Sequence, residues 1–176
     1  MYIFRWHYII GGEIMKINGI IIVNFKVCDG LYSCDVILDK HFLGRYSQRN
    51  SYADEYTFDK TLLEQSAEEF KKSALYKTSY FNTDSDIKDF YTVDMFMNDI
   101  CDLYLDEQIS KQFFDKGYRY SVIGESYITN ETAYAGANNQ SEIDDIKSLL
   151  KKQFKNSVNI RIYDNINNFI IDTRGG

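Results

Sequence analysis

A pair of strands joined by a two-residue turn restricts the fold of this chain more than any other feature. The segments "IIIVNFKVC" and "LYSCDVILD" flank Asp29-Gly30, a dipeptide that favours the positive φ angles of a type I′ turn. A turn of this length sets the register of the strands and brings Val23 opposite Val36. Side chains alternate across a pleated strand, so one face of the hairpin is apolar throughout and is predicted to enter the core. That face carries Ile21, Val23, Phe25 and Val27 of the first strand and Tyr32, Cys34, Val36 and Leu38 of the second.

Three further stretches have apolar residues at helical spacing and are predicted to be helices. They begin at Asp59, Thr92 and Ser141, each a residue type that caps helix N-termini. A short helix is also predicted from Thr83. The helix from Thr92 carries Glu107 within its apolar side, so a bend, a break or an end is expected there.

Strands are predicted where apolar side chains alternate, from Tyr118, from Val158 and from Phe169. Residues 40–57 and 130–140 show neither period and are predicted to be loops. The resulting order ββ-α-α-β-α-ββ lacks repeated βαβ units and therefore predicts an α+β fold. We expect an antiparallel sheet of about five strands with helices packed on one face.

The length and composition are those of a single folded domain. The chain has 176 residues, of which 44% are hydrophobic and 16% aromatic, and disordered chains are poor in aromatic residues. The segment "IIGGEIMK" can be encoded by a purine-rich ribosome-binding site followed by a start codon at Met15. We therefore expect residues 1–14 to be a non-native or leader extension and residues 15–176 to form one α+β domain. An N-terminal strand with a glycine break is the alternative.

The composition also bears on origin and location. The chain is rich in Asn, Lys, Ile, Tyr, Phe and Asp and has no Pro, as expected from the AT-rich DNA of a low-GC bacterium, a phage or a mobile element. No apolar run approaches the ~18–20 residues that span a membrane. The three cysteines lack the spacing of a disulfide framework. These features predict a cytoplasmic protein with reduced thiols.

No stretch of the sequence carries a specific catalytic, cofactor or metal signature. The histidines are His7 and His41, and neither a GxGxxG nor a P-loop motif is present. Glu107 and Glu125 are the residues from which an acid–base pair would be built, although nothing in the sequence brings them together. We therefore expect a protein without catalytic residues, cofactor or metal.

Acidic residues are concentrated between residues 82 and 107, where eight acids accompany the single base Lys88. Asp99, Asp102 and Asp106 are three and four residues apart on the predicted helix, so they are expected to form one ridge on which they repel one another. Such a ridge either keeps a protein soluble or meets the basic surface of a partner. The candidate partner-binding residues are Asp94, Asp99, Asp102, Asp106 and Glu107.

A second candidate surface is a short basic and aromatic segment that contains no acid. Segments of this kind contact phosphate groups or stacked bases. Three positive charges on an acidic chain are weak evidence for nucleic-acid binding, so an intramolecular pairing with the acidic helices is the favoured interpretation. The residues are Lys40, Arg45, Tyr46 and Arg49, with His41 and Tyr52 beside them.

The missing catalytic groups and the segregated acidic residues lead to a functional hypothesis. We expect a small, acidic, non-enzymatic binding protein of a phage or mobile element, whose acidic surface meets a protein partner with a basic surface. An inhibitor of a host nucleic-acid-handling enzyme, such as a defence nuclease, is one version of this hypothesis. Direct nucleic-acid binding and membrane association are not expected. The alternatives are a small enzyme that uses carboxylate or tyrosine groups and an assembly protein that forms homo-oligomers.

Overall fold

The computed structural model describes residues 2–3, 15–50, 53–83, 90–126, 128–129 and 131–174. Within them, the strands are β1 (Tyr2–Ile3), β2 (Lys16–Ile17), β3 (Ile20–Cys28), β4 (Leu31–Leu38), β5 (His41–Ser47), β6 (Glu55–Tyr56), β7 (Tyr120–Ser126), β8 (Thr132–Ala137), β9 (Val158–Tyr163) and β10 (Ile170–Ile171). The α-helices are α1 (Glu64–Phe70), α2 (Tyr80–Thr83), α3 (Val93–Asp115) and α4 (Gln140–Gln153). Short 3-10 helices span Lys60–Leu63, Tyr76–Thr78 and Ile166–Phe169.

The contacts divide the chain into two compact units. The six-stranded unit, Glu13–Tyr104 with Phe169–Gly176, contains a sheet in the order β10-β2-β3-β4-β5-β6. The four-stranded unit, Met1–Gly12 with Leu105–Asn168, contains a sheet in the order β1-β8-β7-β9. The mixed α+β composition is confirmed, but the strands form two sheets where the sequence predicts one of about five strands. The single domain predicted for residues 15–176 stays a prediction.

The predicted hairpin is present as β3 and β4. Asp29 and Gly30 have φ angles of 50° and 79°, and the pairs next to the turn follow the predicted register. Further along β3, Asn24 adopts a left-handed conformation with φ at 52°, and the register shifts between Val23 and Lys26. A bulge of this kind places an extra residue in one strand. In the half of β3 farther from the hairpin turn, Ile20–Val23, each side chain therefore lies on the face opposite to the predicted one.

The bulge changes which residues of β3 enter the core. Ile22, and not Val23, lies opposite Val36. Ile20 and Ile22 are buried, whereas Ile21 and Val23 are half-buried on the other face. The predicted choice of core residues is therefore wrong for the half of β3 farther from the hairpin turn.

Three strands lie where the sequence predicts loops. β5 and β6 occupy much of residues 40–57, and β8 occupies most of residues 130–140. β8 reads Thr-Ala-Tyr-Ala-Gly-Ala, so it lacks the large alternating apolar residues that are typical of strands. A side chain at Gly136 would collide with the ring of Tyr118. Glycine at position 136 therefore meets a packing requirement that the sequence pattern does not reveal.

One face of the six-stranded sheet contacts the first part of α3. Phe25 of β3 lies 4.8 Å from Tyr104 of α3 between ring centroids. On another side of α3, Phe96 lies 5.5 Å from Phe70 of α1. The large buried side chains of this core include Ile17, Ile20, Ile22, Tyr46, Leu63, Phe70, Phe96, Met97 and Ile100.

Helices cover both faces of the four-stranded sheet, whereas the sequence predicts helices on one face. On one face, Leu150 of α4 occupies the space that a side chain at Gly124 would need. On the other face, Phe113 of α3 lies 6.1 Å from Tyr134 of β8 between ring centroids. The sheet is thus a buried middle layer, and polar side chains on it require internal partners.

α3 is a continuous helix of 23 residues, and the boundary between the units falls within it, after Tyr104. A break or an end at Glu107 is therefore wrong, and a bend there stays a prediction. Residues 105–110 are all buried, and Gln108 donates a hydrogen bond to the Glu107 carboxylate at 3.3 Å. A polar residue within the apolar stripe does not end this helix, because the surrounding residues include hydrogen-bond donors.

Asn18 is a buried polar residue that connects three segments of the six-stranded unit. Its side-chain amide donates to the backbone carbonyl of Ser66 at 3.1 Å, and the Ser66 hydroxyl donates to the Asn18 carbonyl at the same distance. The Asn18 side-chain oxygen accepts from the backbone N–H of Thr173 at 2.7 Å. The β2–β3 turn, α1 and the segment after β10 are thereby joined through one side chain.

Replacing Asn18 by Ala should lower the free energy of unfolding by about 2–3 kcal/mol, because the buried carbonyl of Ser66 and the half-buried N–H of Thr173 would lose their partner. Asn18 also has φ at 48°, which alanine tolerates less well. Urea denaturation followed by circular dichroism measures the effect. As a control, Asn167→Ala, at an exposed position, should change stability little. Equal effects of the two substitutions would contradict the role of Asn18.

Of residues 1–14, the structure describes β1. Tyr2 and Ile3 pair with Tyr134 and Ala133 of β8 in an antiparallel arrangement. The leader extension predicted for residues 1–14 otherwise lies outside the described residues and stays a prediction.

Candidate functional site

Four aspartates of α3, all among the candidate partner-binding residues, each accept a hydrogen bond from a tyrosine hydroxyl. The pairs are Tyr56–Asp94 at 2.8 Å, Tyr32–Asp102 at 2.8 Å, Tyr91–Asp99 at 2.5 Å and Tyr163–Asp106 at 2.6 Å. Burial, and then the adjacent carboxylate, raise the pKa of Tyr56, Tyr91 and Tyr163 above the usual value of 10.0. These hydroxyls therefore stay protonated and serve as donors to carboxylates of a largely buried helix.

The exposed acidic ridge predicted on this helix is not formed. Asp99, Asp106 and Glu107 are 6%, 2% and 0% exposed, and Asp94 and Asp102 are half-buried. Partner binding by these five residues stays a prediction, but the burial of Asp99, Asp106 and Glu107 removes much of the exposed charge on which it depends. The other acids of this stretch, Asp84, Asp86 and Asp89, lie outside the described residues.

A buried arginine links α3 to the four-stranded sheet. Nε and Nη2 of Arg161 donate to the two carboxylate oxygens of Asp106 at 2.5 and 3.0 Å. Nη1 of Arg161 donates to Glu125 at 2.9 Å. Burial alone would lower the pKa of Arg161, but the adjacent Asp106 outweighs it and the pKa is raised. Because either partner left alone would be a buried charge, this bidentate pair is costly to break.

The two glutamates considered as an acid–base pair have other partners. Glu125 binds Arg161 on the sheet, and Glu107 accepts a hydrogen bond from Gln108 on α3. These contacts assign both carboxylates to the internal polar network of the four-stranded unit.

The predicted basic and aromatic segment forms β5 and its flanking turns. Arg45 donates to Asp35 of β4 at 3.1 Å, and Arg49 is paired with Glu55 of β6. The sequence predicts that these arginines pair with the acidic helices, and that prediction is wrong, because their partners lie on neighbouring strands.

Tyr46 and Lys40 differ in exposure within this segment. Tyr46 is fully buried, and its hydroxyl donates to Asp54 at 2.8 Å. Lys40 is exposed in the turn between β4 and β5, with φ at 71°. Tyr46 is thus a core residue and presents no ring to a ligand.

The face of the six-stranded sheet that points away from α3 carries a row of apolar side chains, which we call the open face. Ile21 of β3 lies opposite Ile37 of β4, and Ile37 lies opposite Phe42 of β5. Phe42 is 66% exposed, and Ile21 and Ile37 are half-buried. The sequence pattern places Ile37 on this face but assigns Ile21 to the core, because it does not reveal the bulge.

Charged residues lie next to this row on the open face. Asp35 lies opposite Arg45, whose side chain is 47% exposed. The side-chain amide of Asn24 donates to Asp35 at 2.7 Å, and this bond, followed by that from Arg45, holds the pKa of Asp35 below its usual value. Lys26, near the hairpin turn, is exposed on the same face. Glu55 of β6, opposite Ser47, lies on the same face and pairs with Arg49, so this face carries charges of both signs with cations in slight excess.

A shallow cleft of about 360 Å³ lies at the start of α3 in the six-stranded unit. Its charged lining residues include Lys60, Glu64 and Glu68. Nζ of Lys60 already pairs with Asp94 at 3.1 Å. The apolar lining residues Ala67 and Tyr91 are buried, so the cleft lacks the exposed apolar side chains of the open face and is a weaker candidate for a binding site.

Among the residues that the structure describes, no group of three or more His, Cys, Asp and Glu side chains is placed to hold a metal ion. Cys28, Cys34 and Cys101 are free thiols, and burial raises the pKa of Cys101. In the same described ranges, no helix has both the length and the apolar character needed to cross a membrane.

Comparisons of this chain with protein families, with curated proteins and with solved structures found no match.

Proposed function

We propose that this chain is a non-enzymatic protein-binding module that docks a partner on the open face of its six-stranded sheet. The observation that carries the proposal is the row formed by Ile21, Ile37 and Phe42. In an antiparallel sheet with one face packed on the core, the solvent face is normally polar. A row of large apolar residues across three neighbouring strands supports an interaction surface at this position.

The charges beside the row indicate the chemistry of the partner. Lys26 and Arg45 are exposed, whereas the carboxylate of Asp35 is engaged with Asn24 and Arg45. A partner segment with apolar side chains flanked by carboxylates would complement this arrangement. The row contains two isoleucines and a single aromatic ring, and aliphatic side chains provide no stacking platform for bases. A protein partner is therefore favoured over a nucleic acid.

The proposed function is of the class expected from the sequence, a non-enzymatic binding protein, but the binding surface is the open face and not the acidic residues of α3. The hypothesis of a partner with a basic surface depends on exposed carboxylates of α3, and Asp99 and Asp106 instead accept hydrogen bonds within the chain. An inhibitor of a host nucleic-acid-handling enzyme is one partner relationship that the open face would serve. The enzyme alternative stays untested.

The experiment replaces the most exposed residue of the row. Phe42→Asp should reduce capture of the partner from a cell lysate at least about tenfold, which corresponds to about 1.4 kcal/mol, because a buried interface phenylalanine is replaced by a charge. The matched control is Leu62→Asp, since Leu62 is 52% exposed in the same unit but lies on the 3-10 helix before α1. That variant should capture the partner as the parent does.

A photo-crosslinking amino acid at position 42 identifies the contact directly. Mass spectrometry of the cross-linked peptide should show a segment with apolar and acidic residues, and the same probe at position 62 should not label it. Capture that is insensitive to Phe42→Asp, or labelling from position 62 alone, would contradict the proposal. If nucleic acid and not protein is recovered, the proposal of a protein partner is wrong and the partner is a nucleic acid.

A further inference from the structure

The sheet of the four-stranded unit ends at β9. Within the part of the chain that the structure describes, β9 pairs with β7 on one side and has no second neighbouring strand. A strand in this position presents a row of backbone N–H and C=O groups that are able to pair with another chain.

The ladder between β7 and β8 determines which backbone groups of β9 point outward. The N–H of Ser126 donates to the carbonyl of Glu131 in β7–β8 pairing, at 2.9 Å. Backbone groups of successive strand residues point to opposite sides, so the odd-numbered residues of β7 bond to β9. Their partners in β9 are Asn159, Arg161 and Tyr163. The residues whose N–H and C=O groups point to the free edge are therefore Val158, Ile160 and Ile162.

The same three residues form an apolar row along that edge. Ile162 is 38% exposed, and Val158 and Ile160 are half-buried against the core beneath α4. The polar side chains of β9 point to the opposite face, where Arg161 binds Asp106 and Glu125. The edge thus carries neither a lysine nor a proline, which are common guards against strand addition.

The order of residues in β9 is symmetric about Ile160. Apolar and polar residues alternate outward from it in both directions, from Val158 to Ile162. In an antiparallel pair of two β9 strands centred on Ile160, Val158 lies opposite Ile162 and Asn159 lies opposite Arg161. Every outward backbone group then finds a partner, and side chains of like character meet on each face. A register centred on Arg161 is disfavoured, because two arginines would lie directly opposite each other.

We propose that β9 pairs with β9 of a second copy of this chain, antiparallel and centred on Ile160, so that two four-stranded sheets become one sheet of eight strands. This interface is independent of the open face. A single pair of short edge strands buries little area, so the dimer forms at high protein concentration and dissociates on dilution. Each copy carries a formal charge of −6, so added salt strengthens the association by screening repulsion.

Analytical ultracentrifugation over a range of protein concentrations tests the proposal. The parent should shift from monomer to dimer as its concentration rises, with a lower dissociation constant at higher salt. Ile162→Lys should raise the dissociation constant at least about tenfold, because it places a charged side chain on the edge, opposite the apolar Val158 of the second copy. Leu149→Lys is the control, since Leu149 is 53% exposed on α4 of the same unit, and it should leave the dissociation constant unchanged.

Cross-linking determines the register of the β9–β9 pair, and it does not depend on how a charged variant affects folding. In a Cys28→Ser background, which removes the exposed native thiol, Ile160→Cys places two thiols directly opposite each other at the centre of the pair. A short bis-maleimide should then yield a covalent dimer. Ile162→Cys should yield much less, because the two positions are separated by roughly 14 Å along the strands at a rise of about 3.4 Å per residue.

Three results would overturn the proposal. They are a monomer at every concentration, equal dimerisation of the parent and Ile162→Lys, and cross-linking as efficient from position 162 as from position 160. Loss of the dimer in Phe42→Asp, with Ile162→Lys unaffected, would assign self-association to the open face and would likewise exclude β9.

Discussion

Replacing Asp106 by Asn should lower the free energy of unfolding by about 3–5 kcal/mol, because it leaves the guanidinium of Arg161 buried without its main counter-charge. The side chains of Asp106 and Arg161 are 3% and 9% exposed, so water cannot replace the lost partner. The amide of asparagine would also direct N–H groups at the N–H groups of Arg161. Glu125 remains, but with 27% exposure it compensates in part. Urea denaturation followed by circular dichroism measures the loss.

A second aspartate of the same helix provides the matched control. Asp115 accepts from Lys111 at 3.1 Å, and both side chains are exposed. Asp115→Asn should change stability little, because exposed ion pairs contribute little. Tyr163→Phe removes the hydroxyl donor of Asp106 and should have an intermediate effect. If Asp106→Asn is no more destabilising than Asp115→Asn, the bidentate pair does not hold α3 on the sheet.

The ridge predicted from sequence leads to the opposite expectation, because replacing Asp99, Asp102 and Asp106 by Asn on an exposed ridge would relieve repulsion and hold stability level or raise it slightly. Helical spacing identifies residues that share a face of α3, but it does not identify what covers that face. Tyr32 lies 70 residues from Asp102, and Arg161 lies 55 residues from Asp106. Pairings at such separations leave no local pattern.

A compositional signal for these pairings was nevertheless present. The chain contains 15 tyrosines and 26 acidic residues. A tyrosine that is buried brings its hydroxyl with it and requires an acceptor. Many tyrosines together with acids on a long helix therefore favour internal hydrogen bonds over a solvated ridge, although composition does not say which tyrosine meets which acid.

Local chemistry predicts the turn of the hairpin and fails at the bulge. Asp29-Gly30 favours positive φ angles by residue type, and both residues adopt them. Asn24 also tolerates a left-handed conformation, but nothing beside it in the sequence requires one. Its conformation goes with a cross-strand bond to Asp35, which depends on the folded sheet. Ile21 was assigned to the core for this reason.

Exchanging Ile22 for Lys should be among the most damaging single changes in the six-stranded unit. Ile22 is 1% exposed and lies opposite Val36, which is 0% exposed. A lysine there would bury an unpaired ammonium group, so we expect a loss of more than about 4 kcal/mol or no folded protein. The predicted two-residue register without a bulge places Ile22 on the outer face and gives the opposite expectation.

The neighbouring residue supplies the comparison that decides between the two registers. Val23 is half-buried on the open face and lies opposite Asp35. Val23→Lys should therefore cost less than about 1 kcal/mol, because its charge stays near water and faces a carboxylate across the strands. Thermal and urea denaturation of both variants measures the difference. If Val23→Lys unfolds the protein and Ile22→Lys does not, the bulge at Asn24 is absent and Ile21 belongs to the core. Ile21 would then be absent from the open face, and the proposed docking surface would no longer have a row of apolar residues across three strands.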